Sequence, residues 1–189
     1  MHARILLKLS ILALLTTGCG GDMEDSTAVP RRRAYPRMAF EGDSTGRTMV
    51  LDGLRMRINS ATTVRTDSLR RGWADVEYPA GLGATMYLSV TRPESPAEAV
   101  ANRRQRISLN LGDAPARAEE FINGPWACTL VYSDRAGLTT PVQILATHAD
   151  GRLLSGAAVL HAPGSDADSI RPLVELLRED ARRLLLNLE

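Results

Sequence analysis

The chain has 189 residues, with 23 basic against 22 acidic side chains, 2 cysteines and 3 histidines. Its length and its 44 % of hydrophobic residues suit one domain with a sizeable core. A charge near zero gives no electrostatic case for nucleic acid, and so few Cys and His residues argue against a metal cage or a disulfide framework.

Met1 to Lys8 carries Arg4 and Lys8, and Ile5 to Leu15 is apolar. A basic start, a short apolar run and a small-residue exit are the parts of a secretory signal. The run is too short to span a bilayer. It ends in Leu15-Thr16-Thr17-Gly18-Cys19, which resembles the lipobox of bacterial lipoproteins. Thr16 departs from the usual Leu at its place, whereas Thr17 and Gly18 are small, as the pattern requires. The resemblance implies cleavage before Cys19, residues 1–18 being the signal peptide, and acyl chains on Cys19. Each buried methylene contributes about 0.8 kcal/mol and one chain holds only marginally, so two or three chains make a lasting anchor. A plain signal peptide with an incidental Cys is the competing reading.

Gly20 to Val29 is polar, acidic near the Cys and without periodicity, which reads as a tether. Residues 19–34 are therefore assigned to the lipidated Cys and its linker, and 35–189 to a single globular domain. The acidic run reads equally as a solvated linker and as a surface-sorting signal, since it resembles those of surface lipoproteins in Bacteroidota. Arg31 to Arg33 form a weak basic patch beside acidic neighbours. Lys8 is the only lysine; codon bias explains this more simply than selection for bidentate anion binding.

Arg37 to Phe40, Leu54 to Ile58, Trp73 to Tyr78 and Ala84 to Thr91 alternate in polarity and predict strands. Pro79 ends the third, and Gly81-Leu82-Gly83 lacks the remainder of a dinucleotide fingerprint, so it is a hairpin loop. Ser95-Pro96-Ala97-Glu98 predicts a helix start with a capping box. Ala97, Val100, Ile107 and Leu111 form an apolar stripe interrupted by Arg103 and Arg104, with Gly112 as the stop. Further strands are predicted at Ala116 to Ile122, Trp126 to Tyr132, Val142 to His148 and Arg152 to Leu160, with a tight turn at Asp150-Gly151. The Val142 strand, apolar on both faces, is expected to be covered twice. Asp168 or Ser169 is expected to cap a final helix with Pro172 in its first turn. Leu173, Val174, Leu177, Ala181, Leu184, Leu185 and Leu188 then form its core face. The fold class that follows is α+β, a mostly antiparallel sheet packed with two amphipathic helices. The element order resembles a PsbP-like α/β/α sandwich, a likeness that carries no function.

Cys128 lies in a strand-like run and reads as a buried small hydrophobe. Asp75 and Glu77 read as solvent-facing charges. Ser155, His161 and Asp166 contain triad residue types, with nothing in their spacing to enforce triad geometry. No nucleophile elbow, phosphate loop or metal set is present in the sequence, so the chain reads as a non-enzyme without a cofactor.

Taken together, these segments resemble the gliding-motility lipoprotein GldD family of Bacteroidota. Pro30, Arg33, Tyr35 and Arg37 match the family's segment behind the tether, Arg31 and Met38 are similar, and Arg32, Ala34 and Pro36 depart. Trp73 to Tyr78 and Pro79, followed by Met86-Tyr87-Leu88-Ser89, look like the family's Trp-to-Tyr-Pro and Ile-Tyr-Leu-Ser block. Thr147, Gly156-Ala157, Asp168-Ser169 and Pro172 fall where similar residues belong, whereas the family's terminal Trp-Lys is replaced by Leu188-Glu189. The resemblance implies an accessory or assembly lipoprotein of the gliding and type IX secretion machinery. It also implies an envelope location, the outer membrane favoured over the inner, and envelope partners such as a GldE-like integral membrane protein. It supplies no catalytic residues. The alternative is a tethered module that binds a small ligand or glycan.

Overall fold

Two strands, β1 (Arg47–Leu51) and β2 (Leu54–Ile58), form a separate antiparallel hairpin with Leu51 opposite Leu54. Asp52 and Gly53 make its turn with φ of 48° and 78°, the paired positive values that a two-residue hairpin loop demands. The computed structural model describes residues 46–66, 68–162 and 167–189. The strand expected at Arg37 to Phe40 lies outside them, as do Cys19, Pro30, Arg33, Tyr35 and Arg37.

The main sheet contains β3 (Thr63–Thr66), β4 (Trp73–Glu77), β5 (Ala84–Thr91), β6 (Arg117–Asn123), β7 (Trp126–Tyr132), β8 (Val142–His148) and β9 (Leu153–Leu160). Its order is β3-β4-β5-β9-β8-β7-β6, and every neighbouring pair is antiparallel. Among the described residues two helices accompany the sheets, α1 (Pro96–Leu111) and α2 (Ala167–Leu186). The fold class expected from the sequence, α+β with a mostly antiparallel sheet and two helices, is the observed one. Among the described residues no helix is long and apolar enough to cross a membrane.

The core lies on one face of this sheet. Val76, Met86, Leu88, Leu154, Ile144 and Leu130 point to it from successive strands. They are sealed by Ile170, Val174, Leu177, Ala181, Leu184 and Leu185 of α2 and by Leu51, Leu54, Met56 and Ile58 of the hairpin. The tail of α2 is tied to β2 by reciprocal backbone bonds, Arg55 N to Glu189 O at 3.1 Å and Glu189 N to Arg55 O at 2.9 Å. Cys128 is one of the core residues, 2 % exposed, and burial pushes its thiol up to about 11. It is the buried hydrophobe its context predicts.

The opposite face carries the alternate residues, among them Tyr87, Ser89, Ser155 and Gln143, and α1 crosses it. Val142 to Ala146 of β8 are all buried, so the strand expected to be covered twice is so covered.

Four expectations change. Among the described residues five strands precede α1, because β1 and β3 go unmarked by the strand pattern. Ser95 takes the extended N-cap conformation, but its side chain makes no capping bond, so the capping box is not formed and Pro96 carries the start of α1 without it. The final helix already includes Asp168 and Ser169, with Asp168 in its first turn, where a carboxylate favours the helix dipole. Pro172 consequently lies inside that helix, where it cannot donate to the carbonyl of Asp168.

Candidate functional site

The pleat sends Ala74 and Val76 of β4 into the core and leaves Trp73 and Asp75 on the other face. β5 does the same with Met86 and Leu88 inward and Tyr87 and Ser89 outward. The register sets Trp73 opposite Ser89 and Asp75 opposite Tyr87, so the two aromatic rings are diagonal neighbours. Trp73 is 41 % and Tyr87 42 % exposed, large rings that the described residues cover only in part.

The facing wall is α1. Arg103, Arg106, Ile107 and Asn110 line a groove of about 180 Å³ with Trp73 and Tyr87, floored by Ser89, Gln143, Ser155 and Ala157. No residue of α1 is fully buried, so its stripe is more shallowly seated than the apolar spacing predicts. The floor is polar and bonded within itself. Ser89 Oγ lies 2.9 Å from Ser155 Oγ. Asn110 Nδ2 donates to Gln143 Oε1 at 2.9 Å, and Gln143 Nε2 donates to the Ile107 carbonyl at 3.5 Å. The Asn110–Gln143 bond and the Ile107 contact fasten the C-terminal half of α1 to β8.

Arg103 and Arg106 sit one turn apart on the groove wall, with no carboxylate within ion-pair distance among the described residues. Arg104, on the same helix, pairs with Glu120 at 3.7 Å. Burial first, and the Arg106 charge second, lower the Arg103 pKa from its usual value. The Arg70 guanidinium lies 6.0 Å from the Trp73 ring centroid, at the limit of cation–π range. The groove is therefore rich in donors and aromatic surface.

A second hollow, about 340 Å³, lies between α2 and the ends of β6 and β7 and is lined by Tyr132, Arg171 and Arg178 among others. Its charges are largely paired within the fold: Arg171 Nε is 3.5 Å from Asp134, and Arg178 bonds Glu179 and stacks 5.2 Å from the Tyr132 ring centroid.

The residues singled out in the sequence separate into two groups. Trp73 and Tyr87 meet in the groove. Tyr78 is buried in the core, and its hydroxyl is bonded to Asp180, which also accepts from Asn59 Nδ2 at 3.0 Å. Burial first, then the Asp180 charge and hydrogen bond, raise the Tyr78 pKa well above its usual value. Pro79 starts the short 3-10 turn that leads into β5. Asp168 stands 3.8 Å from Arg171, an i,i+3 pair on α2, far along the chain from the groove; Ser169 shares that first turn. Glu77 pairs with Arg65 at 3.0 Å, and Asp75 lines a separate hollow with Arg65 and Thr66.

The triad residue types do not converge. Ser155 is bonded to Ser89 in the groove floor, whereas His161 Nε2 lies 3.0 Å from Thr85 Oγ1, at the other end of β5, and Asp166 is outside the described residues. No group of three or more His, Cys, Asp or Glu residues is placed to hold a metal among the described residues.

Arg106 and Asn110 were not distinguishable in the sequence from other polar positions of an amphipathic helix. The signal that existed was the break in the apolar stripe at Arg103. Compared with protein-family models and with curated proteins, the chain matches none of them.

Proposed function

We propose that this chain is a lipid-anchored envelope lipoprotein that serves the gliding and type IX secretion machinery by binding other proteins, with the α1 face of its sheet as the contact surface. The observation that carries the contact surface is the exposure of Trp73 and Tyr87 opposite Arg103 and Arg106. Trp, Tyr and Arg are the residue types that dominate interface energetics, and here four of them converge on one groove. Its volume of about 180 Å³ falls below the roughly 300–1,000 Å³ of small-molecule pockets, which weighs against a small ligand as the main occupant. The lipobox-like Cys19 supports the anchor, and the similarity to the GldD family supports the machinery, including a GldE-like membrane partner.

Two experiments test the reading. Metabolic labelling with a fatty-acid probe labels the wild-type chain and not Cys19→Ser; an unlabelled wild type refutes the anchor. A photo-crosslinking amino acid at position 87 gives an adduct with an envelope protein, and one at Val50, exposed on the β1–β2 hairpin, does not. If position 87 gives no adduct, and Trp73→Ala with Tyr87→Ala leaves type IX secretion intact, the contact surface and its role are wrong.

A further inference from the structure

We propose that the groove between α1 and the β4–β5 hairpin accepts an acidic segment of a partner protein, its carboxylates held by Arg103 and Arg106 and its chain lying against Trp73 and Tyr87. This rests on the reading of the α1 face as a protein-contact surface and names the chemistry of what it contacts.

The charge arrangement is the first argument. Two guanidiniums one turn apart repel each other, and the groove wall around them contains no carboxylate among the described residues. The nearby Asp75, opposite Tyr87, lines the neighbouring hollow with Arg65, Thr66 and Trp73, where Arg65 is the cation beside it, and Glu120 is taken by Arg104. Burial with its neighbour's charge lowers the Arg103 pKa, and a carboxylate between the two guanidiniums offsets their mutual repulsion. Arginine's planar fork matches a carboxylate with two parallel hydrogen bonds.

The floor is the second argument. Ser89 is bonded to Ser155, and Asn110 to Gln143, so part of the hydroxyl and amide capacity that a sugar ring needs is already used within the floor. Room for about 180 Å³ takes one or two acidic side chains and leaves the rest of the segment outside, against the exposed rings. An acidic peptide meets these conditions better than an acidic saccharide.

The test uses the full chain in detergent, titrated with a capped hexapeptide of alternating Asp and Glu, its Asn/Gln counterpart, and oligogalacturonate. Trp73 fluorescence reports the groove, because the only other tryptophan, Trp126, is 1 % exposed; Trp73→Phe must abolish the response, and calorimetry gives the affinity independently. The acidic peptide is expected to bind at least about tenfold more tightly than the amide peptide and to weaken with added salt. Arg103→Gln with Arg106→Gln is expected to lose at least that factor, while Arg117→Gln in the second hollow does not. Equal binding of both peptides, undiminished binding to the double variant, or tighter binding of oligogalacturonate each overturns the proposal. Crosslinking at position 87 keeps the two readings apart. An adduct without acidic-peptide binding retains the contact surface and rejects the acidic occupant. Acidic-peptide binding without an adduct retains the groove chemistry and rejects the cellular contact.

Discussion

Gly156 lies at the middle of β9, opposite Leu88 on one side and Ile144 on the other. A methyl group there would meet Leu88 Cδ2 at 2.7 Å, Ile144 Cγ1 at 3.0 Å and the Tyr87 carbonyl oxygen at 3.0 Å. Leu88 and Ile144 are each 1 % exposed, so neither can swing into solvent, and the Tyr87 carbonyl is held in the sheet. Over-packing of this kind costs about 1–3 kcal/mol. Gly→Ala also lowers the entropy of the unfolded chain, worth about 0.4–1 kcal/mol in the opposite sense. The steric cost is the larger, leaving Gly156→Ala destabilised by about 1–2 kcal/mol. At about 2–4 °C per kcal/mol for a domain of this size, the expected fall in Tm is roughly 2–8 °C by circular dichroism. Leu88→Ala removes the closest atom and alone costs about 2–5 kcal/mol. Combined with Gly156→Ala it should cost less than the sum of the two, by at least about 0.5 kcal/mol. A Gly156→Ala variant as stable as wild type, or strictly additive with Leu88→Ala, would refute the claim that glycine is required here by packing.

Gly72, at φ +83°, would place a methyl group 2.5 Å from the Val90 carbonyl oxygen, whereas Gly53, at φ +78°, has open space. Urea titration should therefore show Gly72→Ala costing more than Gly53→Ala, which bears only the left-handed strain of about 1–2 kcal/mol. The Cys128 thiol, held up near 11 by burial, is expected to ignore Ellman's reagent at pH 8 in the folded protein and to react in urea; prompt native labelling contradicts its placement. Because the folded pKa exceeds the unfolded one, the stability of the Cys128 site is complete below about pH 9 and falls as pH rises toward 11, by up to about 1.4 kcal/mol per unit. Cys128→Ala should flatten that window. Tyr78 has the same sign and a higher onset: burial and Asp180 keep its phenol neutral, so stability falls as pH rises past about 10, and Tyr78→Phe should remove that part of the alkaline decline. Stability curves of equal slope above pH 10 for wild type and Tyr78→Phe would contradict this.

The elements read most clearly from sequence were those whose alternation coincides with a two-sided environment. β5, β7 and β8 have the predicted bounds because each places its apolar residues on the core face. β1 and β3 were missed for physical reasons. In β1, Val50 is 59 % exposed while Met49 and Leu51 are buried, so the apolar run Met49-Val50-Leu51 hides the alternation; Asp52-Gly53 was the legible signal. β3 has four residues, only Val64 packs against the core, and it is a sheet edge. The capping box at Ser95 had the right residues and lacked the bond, which shows that a spacing match states an opportunity and not a contact. The groove was half legible. Trp73 and Tyr87 stand out as aromatics in alternating strands, but Arg103 and Arg106 become their neighbours only once α1 is laid across the sheet, and no local pattern encodes that placement.

Geometry explains why a groove exists at all. Seven strands about 4.8 Å apart make a sheet roughly 29 Å wide, and one helix with its side chains is only about 10–12 Å across. A single helix therefore cannot cover a face, and clefts beside it are unavoidable. On the core face, α2 is supplemented by the β1–β2 hairpin, and the residues beneath are apolar except at the β6 edge, where Glu119 pairs with Arg182 and Asn123 donates to the Leu185 carbonyl. On the other face α1 is the one covering element among the described residues, and the sheet's composition follows its footprint. Leu145 and Leu153 are buried there outside the main core. Beside the helix the positions are Ser89, Gln143 and Ser155 on one flank and Thr129 and Thr147 on the other. Ser89 and Gln143 are themselves buried, and bonds to Ser155, to Asn110 and to the Ile107 carbonyl engage them within the fold. Trp73 and Tyr87 differ. Among the described residues they stay 41 % and 42 % exposed, and replacing them by Thr or Ser would cost the sheet no buried contact with α2 or the hairpin. Their presence on that flank, facing two arginines with no counter-charge among the described residues, is better explained by a contact beyond the sheet and its two helices than by the stability of those elements.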